Sequence, residues 1–524
     1  MLYVVFRGLA RVALRWFYRD VTVVGGDRIP RDAPLLIAVN HPNALVDALV
    51  AVSVVPRRVM LTAKATLWEH PLLALLLPRV GIVPLRRAQD ERRREQGPGT
   101  RGQGGGSPGR EAGGGNDAAR EATVVPEREA GAIVRSGGAP RPVGSALPPI
   151  APSGDGTMTP AEPGSTNVSP GGAPEPARNA ASFVALLDAL AGGGAVLIFP
   201  EGRSHSEPQL APLRTGLARI ALQARDERGV HDLQVVPVGL VFERKWQPRS
   251  RVLVQVGEPL LLDGWVPPTG ARPVEALTAE VDARLRAVTL NFETAKEEAQ
   301  TLAVSRALAA AFEGDRPLGQ AETPLTAAVA VAHRVEAARE RLAAGGTLPP
   351  RAAHFLERVA ALRQLAARYG VLLEDAEIAT GFLPGARFTL REGLLALVAL
   401  PIALWGAVNH FLPLRLAWTL GRRSSRNPDD PAMRTIVAGV ALTLLAYLLQ
   451  GAVVWWLAGP WWALLYLATL PPAGVVRLRV QDRLRRAARR AHAYRLFRRQ
   501  PTLRQRFADE LAWVRREAVE IERD

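Results

Sequence analysis

Two apolar runs in the final third of the chain, GLLALVALPIALWGAVNHFLP at 393–413 and TIVAGVALTLLAYLLQGAVVWWLA at 435–458, are each long enough to reach across the hydrocarbon core of a bilayer. This part of the chain is therefore expected to meet lipid. A third run, WWALLYLATLPPAGVV at 461–476, is shorter and leads into residues 477–506, where twelve arginines stand against one acid, Asp482. A hairpin of the second and third runs keeps the basic loop around Arg415, Arg422, Arg423, Arg426 and Arg434 and the basic tail on one side, the cytoplasmic one by the positive-inside rule. Trp455, Trp456, Trp461 and Trp462 would then reach the far interface. The expected layout is a transmembrane hairpin at 435–476, a basic cytoplasmic tail at 477–524, and a re-entrant or interfacial segment at 393–420, broken by Pro401 and carrying Asn409 and His410.

The 524 residues leave room for two to four domains. The absence of cysteine excludes a disulfide framework, a Cys nucleophile and every Cys-liganded metal site. Lys and Arg number 66 against 50 acids, a net charge of +16, and only Lys64, Lys245 and Lys296 are lysines. Such an arginine-rich surface seeks phosphate. Few aromatics interleave the basic tail and it abuts an apolar segment, so the expected target is membrane lipid rather than nucleic acid. Residues 1–19, MLYVVFRGLARVALRWFYR, place Arg7, Arg11 and Arg15 four apart beside Phe6, Leu9, Val12 and Trp16. That pattern is a basic amphipathic helix, expected to lie in the membrane plane, with docking on the core as the alternative.

Between these ends the chain alternates short β-branched runs (VTVVG, LLIAV at 35–39, RVMLT, GIVPL at 81–85) with apolar helical ones, and the rhythm resumes after residue 181 with AVLIF at 195–199, QVVPVGLVF and RVLVQV. This predicts an α/β core over 20–262. It is interrupted by residues 88–180. With 19 Gly and 13 Pro in the 84 residues 97–180, this stretch is expected to be a disordered insertion. Residues 275–385, rich in Ala, Leu, Glu and Arg, predict a helical segment.

Chemistry concentrates where predicted strands end. Asn40-His41-Pro42-Asn43-Ala44-Leu45-Val46-Asp47 follows LLIAV, with Pro42 suited to open a helix and His41 just outside it. A carboxylate one to two turns on can hold one ring nitrogen, fix the tautomer and leave the other to take a proton from an alcohol. Residues six apart lie about 240° round an ideal helix, so the pair requires His41 to precede the helix. Phe199-Pro200-Glu201-Gly202-Arg203-Ser204-His205 follows another buried strand and offers backbone N–H groups, a carboxylate and a guanidinium for a phosphate. Gly81-Ile82-Val83-Pro84-Leu85-Arg86-Arg87 adds two arginines after a strand, with Lys64 upstream. His41, Asp47, Glu201 and His205 lack the tight spacing of a zinc site, and no metal is expected.

In this order NHPNALVD, GIVPLRR, FPEGRS and VVPVGL resemble the four sequence blocks of the phospholipid/glycerol acyltransferases, over residues 20–262 without the insertion. The resemblance implies a membrane-bound enzyme of phospholipid biosynthesis with a glycerolipid acyltransferase-like α/β core. It would esterify glycerol-3-phosphate or lysophosphatidic acid from a fatty acyl thioester, of coenzyme A or acyl carrier protein, and no separate cofactor is implied. It makes His41 the general base and Asp47 its partner, gives Arg86 to the acceptor phosphate and Glu201 and Gly202 to the acceptor site, and has Pro237 shape the acyl site, while Lys64 and Arg203 stay substrate-binding candidates from the residues themselves. Two departures stand out. Five residues rather than four separate His41 from Asp47, which is similar to a glycerophosphate-acyltransferase-like branch. Arg203 and Ser204 replace the usual Thr and Arg, which makes Arg214 a second candidate for the phosphate. The competing reading is a non-catalytic basic membrane tether that binds anionic lipid and in which His41 is structural.

Overall fold

The run Leu35–Val39 is buried at every residue, as a strand with neighbours on both faces must be. In the computed structural model, which describes residues 2–69, 71–85, 179–312, 324–343, 349–424 and 431–523, this run is the centre of a sheet. Arg86 and nearly all of the expected 88–180 insertion lie outside the described residues. The strands are β1 (Asp20–Val24), β2 (Leu35–Val39), β3 (Val59–Lys64), β4 (Ile82–Leu85), β5 (Ala195–Ile198), β6 (Gln234–Phe242), β7 (Arg251–Val256) and β8 (Leu260–Leu261). Their order is β1-β7-β6-β2-β5-β3-β4, with β8 also on β6. The five strands from β6 to β4 are mutually parallel, while β7 and β8 run antiparallel to β6 and β1 runs parallel to β7.

The period of two along β2 assigns its side chains to two cores. Leu35, Ile37 and Val39 pack with α1 (Leu2–Phe17) and α2 (Leu45–Val54) on one face. Leu36 and Ala38 pack on the other with α4 (Ala180–Ala191), α5 (Gly216–Asp226) and α6 (Pro273–Arg286); α3 (Pro71–Val80) precedes β4. Pro237 sits inside β6, where a missing N–H would normally break a ladder. It falls between the stretch paired with β8, ending at Val235, and the stretch paired with β7, starting at Val238. Its carbonyl accepts the Gly257 N–H at 2.9 Å.

Helix α1 is docked on the core through Tyr3, Ala10, Ala13, Leu14 and Phe17. Two of its three arginines are bonded to the core, Arg7 Nη2 donating to Val55 O at 2.5 Å and Arg11 Nε to Ser53 O at 3.1 Å, while Arg15 is exposed. Arg7 and Arg11 cap the carbonyl end of α2, where the helix dipole favours a cation. The outward stripe is instead apolar, with Val5, Leu9 and Val12 all more than half exposed.

Residues 275–385 carry α7 (Ala295–Phe312), α8 (Leu325–Ala343) and α9 (Pro350–Arg368), with no strand among the described residues. Four helices complete the chain: α10 (Phe382–Ser424), α11 (Pro431–Ala458), α12 (Pro460–Arg499) and α13 (Pro501–Arg523). The first three are long and apolar enough to cross a membrane. The break expected at Pro401 does not occur, and α10 continues through Pro401 and Pro413. The basic stretch after 477 continues α12 as helix, and its far end packs Phe497 with Phe355, Val359 and Leu362 of α9 and Phe507 and Leu511 of α13.

In that packing Asp375 is buried 3.4 Å from Arg490. Burial, and secondarily Glu374, push its carboxyl up to about 6. Above its unfolded value the unfolded chain ionises first, so stability falls as pH rises from about 4 to about 6. Two pKa units correspond to about 3 kcal/mol. Asp375→Asn should flatten that part of the stability curve, read by urea unfolding at several pH values; an unchanged slope would show that Arg490 neutralises the burial.

Candidate active site

β2 and β5 are adjacent and parallel, with Ala38 opposite Ile198, so the loops that leave their carboxyl ends lie side by side. This is where open α/β sheets gather ligands. His41 comes from the first loop and Glu201 from the second. Lys64 ends β3, the next strand along, opposite Leu85 of β4.

His41 Nδ1 lies 2.9 Å from Asp47 Oδ2, and the same oxygen accepts the Asn43 N–H at 2.7 Å. A carboxylate can only accept, so the Nδ1 proton donates to it and Nε2 carries the lone pair, without a partner among the described residues. The sequence expectation that Pro42 opens the helix is corrected. Pro42 to Ala44 form a turn and α2 begins at Leu45, with Ala44 at φ 48°. The turn is what bridges the five-residue spacing, because it folds His41 back over the first helical turn that carries Asp47. Asp47 is fully buried and Oδ1 has no partner among the described residues. Burial raises its carboxyl above the ordinary range, against the opposing pull of the His41 and Asn43 bonds.

Asn43 Nδ2 donates to Tyr18 Oη at 3.1 Å and to Lys245 O at 2.9 Å, which fixes the turn to the core. Burial and the neighbouring Asp47 carboxylate hold the Tyr18 phenol neutral. The His41 ring stacks on Phe199 at 4.0 Å between centroids and 16° between planes. Sequence spacing gave no signal for Tyr18; Asn43 and Phe199 lay inside the motifs without an evident role.

Glu201 joins the two loops. Its Oε1 accepts the His41 N–H at 2.6 Å, while Oε2 accepts the Ala211 N–H at 2.9 Å and is hydrogen-bonded to His205 Nε2. The His205 N–H returns a bond to His41 O at 3.2 Å, and Ser204 Oγ accepts the Ala44 N–H at 2.9 Å. Gly202 turns the chain at φ 69°, and a Cβ there would press on Arg214 Cγ at 3.1 Å, so the glycine leaves room for Arg214 to cross the turn. The two candidate phosphate ligands differ: Arg203 is exposed and paired with Glu207 at 3.0 Å, whereas exposed Arg214 has no ion pair among the described residues. Asn40, Glu201, His205, Lys245 and Leu302 line a recess beside the pair. The described residues hold no cluster of three or more His, Asp or Glu suited to a metal ion.

Residues 20–100 and 173–241, which carry this site, match the Acyltransferase family model. The core belongs to the acyltransferase family. Over 86 residues the chain is 40% identical to Glycerol-3-phosphate O-acyltransferase 2 of Saccharomyces cerevisiae, a match covering 16% of this chain and 12% of the relative. It is 24% identical over 277 residues to an uncharacterized acyltransferase of Schizosaccharomyces pombe, covering 48% of this chain and 37% of the relative. The matches therefore span well under half the length of these relatives. The 1-acyl-sn-glycerophosphate (LPA) acyltransferase PlsC from Thermotoga maritima aligns in structure with a TM-score of 0.31 at 14% identity, over 55% of this chain and 78% of that one. In this acyltransferase-family core the gap between the matched segments, 101–172, falls within the expected 88–180 insertion, and β5 pairs with both β2 and β3 although it follows the insertion in the chain.

Proposed function

We propose that the chain is a membrane-associated acyltransferase that esterifies a glycerol phosphate, either glycerol-3-phosphate or lysophosphatidic acid, from a fatty acyl thioester of coenzyme A or acyl carrier protein. The observation that carries this reading is the buried His41–Asp47 pair, braced by Glu201 at the carboxyl edge of the sheet beside Arg214, which has no ion pair among the described residues. His41 Nε2 takes the acceptor hydroxyl proton as that oxygen attacks the thioester carbonyl. The resulting oxyanion collapses, the carbon–sulfur bond breaks, and the leaving thiolate receives the proton from His41. Ester and thiol are the products, and no acyl-enzyme is required. A basic tether gives no reason to bury a carboxylate against a histidine, so it is the weaker reading.

Asp47 and Glu201 act as positioning residues here, since both oxygens of Glu201 are engaged inside the protein. Gly202 leaves space for Arg214, Lys64 stands at the end of β3, and Arg86 is kept as a phosphate contact on its sequence motif. The site faces the cytoplasmic side of the cell membrane on this reading. Purified protein in lipid vesicles, given an acyl thioester, should form ester with either phosphate-bearing acceptor and not with glycerol. Arg214→Ala should raise KM for the acceptor about tenfold or more with kcat little changed, since a charge-assisted contact is worth about 1.5–3 kcal/mol. Arg203→Ala, which removes an exposed pair, should change KM less than twofold. The reverse order would move the phosphate to Arg203.

A further inference from the structure

Helices α10, α11 and α12 could each cross a bilayer by length and composition, yet their contacts forbid it. If α10, α11 and α12 crossed in turn, α10 and α12 would run parallel. Instead Gly385, Glu392 and Gly406 of α10 meet Tyr494, Arg483 and Ala473 of α12, an antiparallel order. Further along, Asn409, Ala417 and Gly421 of α10 meet Gln450, Gly439 and Thr435 of α11. The end of α11 then turns back on the start of α12, Gly451 against Leu467. Three antiparallel pairs of half-helices thus meet near His410.

The α/β core grips this junction at three places. Trp16 of α1 packs edge-on against His410 at 5.1 Å and against Gly474. Arg249 pairs with Asp482, the one acid of the basic stretch. Ala432 and Ile436 of α11 belong to the same buried cluster as Tyr3, Leu14 and Val50. A helix that left the core at one membrane face and crossed could not bring Ala432 back to that core.

From these contacts we propose that the three helices dip into the bilayer from one side only, in place of the crossing hairpin expected from sequence. The inserted part is the tip formed by the end of α11 and the start of α12, where Trp456 and Trp461 are more than 80% exposed. From the level of Trp16 the tip extends about 16 Å along α11 (Tyr447 to Ala458) and about 21 Å along α12 (Gly474 to Pro460), at 1.5 Å per residue. Both are short of the roughly 30 Å of hydrocarbon. The occupant is a lipid leaflet: the apolar stripe of α1 and the exposed Leu397, Val398, Leu404 and Val408 of α10 continue the lipid-facing surface, and exposed Arg415, Arg422 and Arg423 bring charge to its edge.

The chain has no cysteine, so single introduced cysteines report without background. The full-length protein is reconstituted in sealed vesicles and treated with a membrane-impermeant maleimide. Trp461→Cys should stay unlabelled until detergent is added. In the double variant Glu227→Cys/Arg422→Cys, each molecule should be labelled at both sites or neither, and Glu227→Cys/Gln500→Cys should behave alike. Labelling of Trp461→Cys in sealed vesicles would overturn the proposal by placing the tip across the membrane. Singly labelled molecules of the Glu227→Cys/Arg422→Cys variant would overturn it by making α10 a span. Neither readout depends on acyl transfer, so this proposal and the enzymatic one fail separately.

Discussion

Asp47→Asn should lower ester formation about 10²–10⁴-fold while the protein remains folded. The amide has one oxygen where the carboxylate has two, and the Asn43 N–H claims it at the position that Oδ2 now holds. At that position the oxygen still accepts the His41 Nδ1 proton, so the tautomer is kept, but the imidazolium that forms as Nε2 takes its proton faces a dipole in place of a charge. That change removes most of the general-base help, which is worth about 10²–10⁴. Removing the buried charge relieves its desolvation while the amide NH₂ takes the Oδ1 position, which has no partner among the described residues, so stability should change little, and circular dichroism with thermal unfolding separates activity from folding. A variant that keeps its kcat would show that the carboxylate charge does not assist the ring.

Glu201→Gln should cost both activity and stability. Three groups share its two oxygens, the N–H groups of His41 and Ala211 and the ring of His205. An amide offers one acceptor and sets a donor against the other N–H, which leaves a buried backbone donor unsatisfied at about 1–3 kcal/mol. The loop after β5 then no longer fixes the backbone of His41. A displacement near 1 Å is enough to lose about 10²-fold in rate. The effect should fall on kcat with a smaller change in KM, measured against acceptor concentration. A pure KM effect would make Glu201 a direct substrate contact, the role implied by family resemblance alone.

The strands around the site were legible because β2 and β5 are buried on both faces and read as unbroken apolar runs, Leu35–Val39 and Ala195–Ile198. Their adjacency was not, since about 150 residues separate them and sheet order is set by tertiary packing. That adjacency creates the Glu201–His41 bond, so the bracing role of Glu201 and His205 could not be read from either motif. The His41–Asp47 pair was legible as chemistry, whereas the turn at Pro42 to Ala44 was not, because Pro42 suits the first residue of a helix as well as a turn. In α1 the spacing of Arg7 and Arg11 marked an amphipathic helix correctly. Which face docked depended on the carbonyl end of α2 lying within reach, information absent from the helix itself. The path of α10 was misjudged at Pro401 because a proline in a helix can be tolerated where neighbouring helices hold the chain on both sides of it.

The most direct test is the initial rate of acyl transfer to glycerol-3-phosphate or lysophosphatidic acid by the wild-type protein and by His41→Ala in identical vesicles, both verified as folded. Wild type should release thiol and ester in equal amounts, and His41→Ala should lose at least about 10²-fold of that rate, the lower range of general-base help. Equal rates in the two proteins, or a wild type that yields no ester from either acceptor with either thioester, would contradict the account.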